Sequence, residues 1–293
     1  MIYEYTKLTK ELFKDLKNYK NYFKRNNLNL ALKLKTQKRN LSFKKYNPDA
    51  YDFLIKYNKI ELEPELDDLC RLHYLIRKRK VNTILEFGVG KSTIVFNDAL
   101  EKNRRNFDSK IKKNSMIRRS NKFECHTIDD QIKWINNIKK KFETKNVIFH
   151  KTDVKMTTFN GRKCTMYNKL PTISPDFIYL DGPARFSAKS FERGWTTNFS
   201  DGMPMAADIL TIEHFLNPGT LIVVDGRTAN ARFLKTNFQR DWLYHHDENF
   251  DQHFFELLER PLGIYNYEYL KFSLGKEYFT RLNKKKLYKK FYE

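Results

Sequence analysis

No stretch of this 293-residue chain reaches the roughly 18 consecutive apolar residues that a membrane-spanning helix needs, so no such helix is expected. The first twenty residues, MIYEYTKLTKELFKDLKNYK, carry charge throughout and lack the apolar core of a signal peptide, so a cytoplasmic location is expected. Cysteine is scarce. Cys70, Cys125 and Cys164 are odd in number and share no metal-ligand spacing, which points to a reducing compartment and away from a disulfide framework. Acid is under-represented too, with 35 Asp and Glu against 56 Lys and Arg, a net charge of +21. That excess fits an anionic surface or nucleic acid as partner, and it equally fits the coding bias of a chain rich in Lys, Asn, Ile, Tyr and Phe. No internal repeat or low-complexity linker is visible. The 40% hydrophobic and 15% aromatic content indicates a folded core. At this length one domain of about 200 to 250 residues with appendages is expected.

Glycine is sparse, ten in all, yet Gly88 and Gly90 fall within the stretch ILEFGVGKST, Ile84 to Thr93. Apolar residues flank Glu86, and a helix-compatible run follows without a spacer. This is the outline of a buried strand, a tight turn and a helix N-terminus, where backbone N–H groups can face a ligand. One reading is a phosphate loop ending in Gly90, Lys91 and Ser92. That loop needs a glycine where Leu85 stands, and it would place the Glu86 carboxylate among phosphates. The other reading is an ExGxG turn formed by Glu86, Gly88 and Gly90, which suits a cofactor without phosphate.

Strands and helices alternate from Val81 onward. NTILEFG, FECHTID, NVIFHKTD, PDFIYLDG and GTLIVVDG read as strands, the last two apolar throughout as central parallel strands are. Helices are predicted over 92–102, 130–142 and 228–239, and WLYHHDENFDQHFFELLE reads as two strands joined by a polar turn. The basic segment 103–122 shows no periodicity and is expected to be a loop. Upstream, Leu8, Leu12, Phe13, Leu16, Tyr19 and Phe23 recur at helical spacing among lysines, so a basic amphipathic helix packs on the domain or lies on something anionic. The expected division is a basic helical extension over 1–50, an α/β domain over 51–264 and a basic aromatic tail over 265–293.

Acids recur where these strands end: Asp129 and Asp130, Asp153, Asp181, and Asp225. Ligands of open α/β sheets bind outside the carboxyl ends of the strands, so these positions are site candidates. With the ExGxG turn and the terminal antiparallel hairpin, the chain over about residues 80 to 260 resembles class I S-adenosylmethionine-dependent methyltransferases. Over YLDGPARF and DGMPMAADILTIEHFLNPGTLIVVDGRTANARFL it also looks like methyltransferase-like proteins found with surface-polysaccharide genes. The resemblance implies a Rossmann-like seven-stranded sheet, mostly parallel, with helices on both faces. It implies S-adenosylmethionine as cofactor and methyl transfer to a small-molecule or glycan acceptor. By the same resemblance Glu86 to Gly90, with Phe87 and Gly88 between them, face the methionine part, Asp129 holds the ribose and Asp153 lies near the adenine, and Ser92 and Asp130 are further cofactor-binding candidates.

DGPA stands where base and amino methyltransferases carry DPPY or NPPY, which argues against a DNA-methylating role. Asp181 and Asp225 close neighbouring strands and are the candidate acceptor-side acids, with Arg185 and Arg227 as ion-pair partners or holders of an acidic acceptor. A divalent metal between the two acids is not favoured, because Gly226 follows the second acid where Asn is frequent in metal-dependent relatives. Glu213 and His214 lie on a helix away from the strand ends. His245 and His246 have no third ligand at ligand spacing and are read as structural. A non-catalytic binding protein on the same fold, with basic ends holding an anionic partner, stays open as the alternative.

Overall fold

The computed structural model describes residues 16–32, 66–113, 117, 120–199 and 202–292. Strand β1, Thr83–Phe87, is buried along its length and lies third from one edge of a seven-stranded sheet. It is flanked by β2, Glu124–Asp129, and by β6, Phe177–Leu180. Strand β3, Val147–Lys151, forms one edge. On the other side lie β7, Leu221–Asp225, then β9, Gln252–Leu257, and β8, Trp242–Asp247. The order is β3-β2-β1-β6-β7-β9-β8, with β9 antiparallel to both neighbours. This is the Rossmann-like methyltransferase sheet that the sequence led us to expect, its final hairpin included.

Side chains alternate across the sheet, and each face has its own core. Leu85, Phe87, Ile128, Ile178, Leu180, Ile222, Val224 and Phe255 pack on one face. Helix α7, Thr228–Asn237, covers it through Ala231 and Leu234. Ile84, Cys125, Phe177, Tyr179, Leu221, Val223 and Phe254 form the other face. They pack on α3, Leu66–Lys78, and α4, Lys91–Lys113. Burying each such large side chain contributes about 1.5–3 kcal/mol.

Three stretches depart from expectation. Helix α4 does not stop near residue 102 but continues into the segment expected to be a loop. Asn103, Phe107 and Ile111, four apart, supply a narrow inward stripe, and Glu101 pairs with Arg104 and Arg105 on the wet side. Charge on three sides hid that stripe. Second, β4, Val154–Phe159, and β5, Arg162–Tyr167, form a separate hairpin. Its turn residues Asn160 and Gly161 both have positive φ, 47° and 71°. Third, the presumed tail makes helices α8, Gly263–Ser273, and α9, Gly275–Tyr292, that dock on the sheet. Tyr269 donates to Asp176 at 2.7 Å. Arg281 and Arg79 both bond the fully buried Glu256, and against the upward push of burial they hold its carboxyl down to about 2.

The basic N-terminal stretch forms α1, Leu16–Arg25, and a single turn α2, Leu28–Ala31. The Tyr22 hydroxyl meets His73 Nδ1 at 2.8 Å, and Arg71 donates to the Tyr19 hydroxyl at 2.8 Å. Leu28 and Leu32 are buried. The helix therefore packs on the domain, with Lys20 and Lys24 exposed. Leu8, Leu12 and Phe13 lie outside the described residues. Among the described residues no helix is long and apolar enough to cross a membrane.

Candidate active site

The turn after β1 is built on backbone contacts. Gly88, at φ 99°, donates to the Ile128 carbonyl at 2.8 Å, and Asp181 donates its N–H to the Phe87 carbonyl at 3.0 Å. A Cβ on Gly88 would meet the backbone of Asp181 and Gly182 at 3.1–3.2 Å, so two strand-end turns touch here with no room for a side chain. At Gly90 an added Cβ would meet only Ser92 Oγ, at 3.7 Å. That side of the turn is open to a ligand.

Asp129 ties β2 to this turn. Its Oδ2 accepts the Val89 N–H at 2.8 Å and its Oδ1 the Gln131 N–H at 2.7 Å. Burial raises its pKa to about 6 despite these bonds. Each oxygen keeps a further lone pair, so the carboxylate can still accept two hydroxyls. Asp130 beside it is buried and accepts the Ser187 hydroxyl at 2.8 Å.

Glu86 does not face the open side. It is fully buried, and its two oxygens take the hydroxyls of Ser92, at 2.6 Å, and Thr93, at 2.7 Å. Burial pushes its carboxyl up to about 8. Glu86 and Ser92 thus brace the turn from inside. Phe87, also fully buried, stacks on Tyr167 with ring centroids 5.9 Å apart. Asp153 is displaced outward: Lys151, at 2.6 Å, and Lys189, at 2.9 Å, hold it at the surface and its pKa at about 2.

Asp181 and Asp225 stand at the ends of the adjacent strands β6 and β7, as expected, but face different partners. Asp225 accepts the Tyr179 hydroxyl at 2.6 Å and Gln252 Nε2 at 3.0 Å. Asp181 is half exposed, with Arg227 Nε 3.6 Å from its carboxylate. The Arg227 guanidinium also donates to the carbonyls of Asp181 and of Pro183, the latter at 2.9 Å, and so clamps the loop after β6. Arg185 lies further along that loop with Nη2 3.8 Å from Met203 Sδ. Glu213 accepts the N–H groups of Gln239 and Arg240 and Nε1 of Trp242, a structural use. His214, exposed, meets Gln239 at 3.1 Å.

Tyr167, on the hairpin that sequence reasoning missed, belongs to this constellation. Its hydroxyl is buried and has no hydrogen-bond partner. Burial raises its pKa far above the ordinary value, and the charges of Asp129, Asp130 and Asp208 raise it further. Asp208, buried, accepts the Tyr167 N–H at 2.9 Å through one oxygen and leaves the other unsatisfied. The available signal was Asn160-Gly161, a type I′ hairpin turn pair.

The phosphate-loop reading fits poorly. The Lys91 ammonium lies over the Phe142 ring, 4.5 Å from its centroid, and Glu86 fills the inside of the turn.

No protein-family model matches the chain, and no curated protein matches it. Solved structures similar to it include three methyltransferases. The SAH-bound methyltransferase PaMTH1 of Podospora anserina is 13% identical over 74% of this chain and 90% of its own, with a TM-score of 0.38. The O-methyltransferase TomG of Streptomyces achromogenes, in complex with SAM, is 15% identical over 74% and 92%, with a TM-score of 0.36. An O-methyltransferase of Bacillus cereus in complex with SAH is 13% identical over 73% and 92%, with a TM-score of 0.37. The functional reading therefore rests on this chain's own residues.

Proposed function

We propose that this chain is an S-adenosylmethionine-dependent methyltransferase acting on a small-molecule or glycan acceptor in the cytoplasm. The observation that carries the reading is the Asp129 carboxylate, which takes an N–H from the glycine turn after β1 while ending β2. A ligand lying across the strand ends meets the acid and the open flank of Gly90 together. The donor set fits this cofactor: a carboxylate for ribose hydroxyls, an orphaned phenol at Tyr167 and a Lys91 ammonium placed over the Phe142 ring. When bound, S-adenosylmethionine supplies a methyl group on a sulfonium whose sulfur keeps the electron pair as the methyl leaves.

In this reading Asp129 holds the ribose, and Asp130, fixed by Ser187, stands on the adenine side in place of the outward Asp153. Asp181 is the acceptor-side base or orienter, since Asp225 is engaged by Tyr179 and Gln252. It takes the proton from the acceptor oxygen or nitrogen as the new bond to carbon forms. Arg227 fixes the backbone that carries Asp181, and in this reading Arg185 holds an acidic acceptor. Basic residues of the chain termini would favour an acceptor carried on an anionic polymer.

The engagement of both acids also favours a second reading, a binding protein without catalysis. Incubation with labelled S-adenosylmethionine and candidate glycan or small-molecule extracts separates the two. The proposal expects label in an acceptor fraction, lost in Asp181→Asn and retained in part in Asp225→Asn. Cofactor binding without transfer to any fraction would support the binding protein.

A further inference from the structure

The β8–β9 hairpin carries a cluster that the methyl-transfer reading does not use. His246 and His253 lie directly opposite each other across the two strands. Opposed side chains on one face of an antiparallel pair have β carbons about 4.5–5.5 Å apart. Their imidazoles stack, with centroids 3.8 Å apart and planes 14° from parallel. Asp251, on the turn between the strands, brings Oδ1 to 3.8 Å from His246 Nε2. That is beyond hydrogen-bonding distance, and His246 Nε2 is buried with no hydrogen-bond partner. One ligand atom from each of the three residues lies within 4.8 Å of the others.

We propose that His246, His253 and Asp251 form a binding site for a divalent transition metal of the zinc class. Two imidazoles and a carboxylate are a donor set for zinc, with a fourth position left to water. Ligands about 2.1 Å from a tetrahedral ion are about 3.4 Å from one another, so the three groups need to draw in by roughly an ångström and the stacked rings to turn edge-on. The side chains have the freedom for both. His246 and Asp251 are part-exposed, with 27% and 64% of their side-chain surface accessible, and can move. His253 is fully buried and anchored: its Nδ1 meets the Tyr244 hydroxyl at 3.0 Å, while Nε2 meets Thr228 Oγ1 at 3.1 Å. A hydrogen bond at one ring nitrogen orients the other toward metal, and the Thr228 hydroxyl can turn to a metal-bound water.

His245 is excluded because it pairs with Phe254 and points to the other face. The site borders the loop after β7, where Gly226 donates its N–H to the Asp251 carbonyl at 2.9 Å. A bound ion would therefore fix the hairpin tip against the loop that carries Arg227. Sequence spacing hid the cluster, because the two histidines are seven positions apart across a turn.

Metal binding at the hairpin does not depend on a cofactor at the strand ends. Its test is calorimetric titration of the full, chelator-treated chain with zinc, with cobalt as a visible reporter of ligand number. The expected result is one saturable site per chain and a higher melting temperature with metal. Tyr244→Phe, which only orients a ligand, should weaken binding by about 10- to 100-fold. His246→Ala and Asp251→Asn should each weaken it more, with the melting curve of the metal-free variants unchanged. Asp181→Asn should leave it intact. Absence of saturable binding, equal affinity in His246→Ala, or loss in Asp181→Asn would overturn the assignment.

Discussion

The backbones of Gly88 and Gly182 are in contact: a methyl group added to Gly182 would lie 2.8 Å from the Gly88 nitrogen and 2.9 Å from its Cα. The turn after β1 and the turn after β6 thus fix each other, and with them the open flank at Gly90 and the position of Asp181. Gly182→Ala should destabilise the fold by about 1–3 kcal/mol, the usual cost of overpacking. The same variant should weaken S-adenosylhomocysteine binding beyond what unfolding explains, because the displaced element is the turn itself. Denaturant melts and calorimetry on one preparation check both. A stable variant with unaltered affinity would show that the contact is incidental.

Tyr167→Phe separates a binding role from a structural one. The hydroxyl is buried and unpartnered, so its removal should leave the ligand-free protein as stable as before or slightly more so. If the phenol bonds the cofactor, affinity should fall by about 0.5–1.5 kcal/mol. Lower stability with full affinity would assign Tyr167 to packing alone.

Glu86 gives stability a pH signature. Its folded pKa is raised from an ordinary 4.5 to about 8 by burial. Between those values the unfolded chain has lost a proton that the folded chain keeps, so stability falls as pH rises through this window and is flat above it. Glu86→Gln should flatten that part of the profile. The slope removed is at most about 1.4 kcal/mol per pH unit, read from urea melts at several pH values. An unchanged slope would mean that the carboxyl is ionised in the fold.

Much of this was legible in the chain itself, and the rest fails for identifiable reasons. Strands β6 and β7 stand out because central strands are apolar on both faces, and the acids Asp181 and Asp225 close the same runs. The β4–β5 hairpin was obscured by Lys155, Arg162 and Lys163 on its outer face, although Asn160-Gly161 marked the turn. The docking of α9 was invisible because Arg281 finds Glu256 only through tertiary packing. Register decided the site: Glu86, Thr127 and Tyr179 are partners across β1, β2 and β6, which turns Glu86 inward with them. Whether a strand-end acid faces solvent or its neighbours depends on such pairings, which composition and spacing do not carry.

Calorimetry with S-adenosylhomocysteine on wild type and Asp129→Ala decides whether Asp129 holds the ribose of S-adenosylmethionine. Charged hydrogen bonds to two hydroxyls predict a loss of about 1.5–3 kcal/mol per bond removed. Wild-type affinity should also fall as pH drops through about 6, where this carboxylate takes up a proton. Equal affinity in the two proteins, or magnesium-dependent ATP binding lost in Lys91→Ala, would contradict the account.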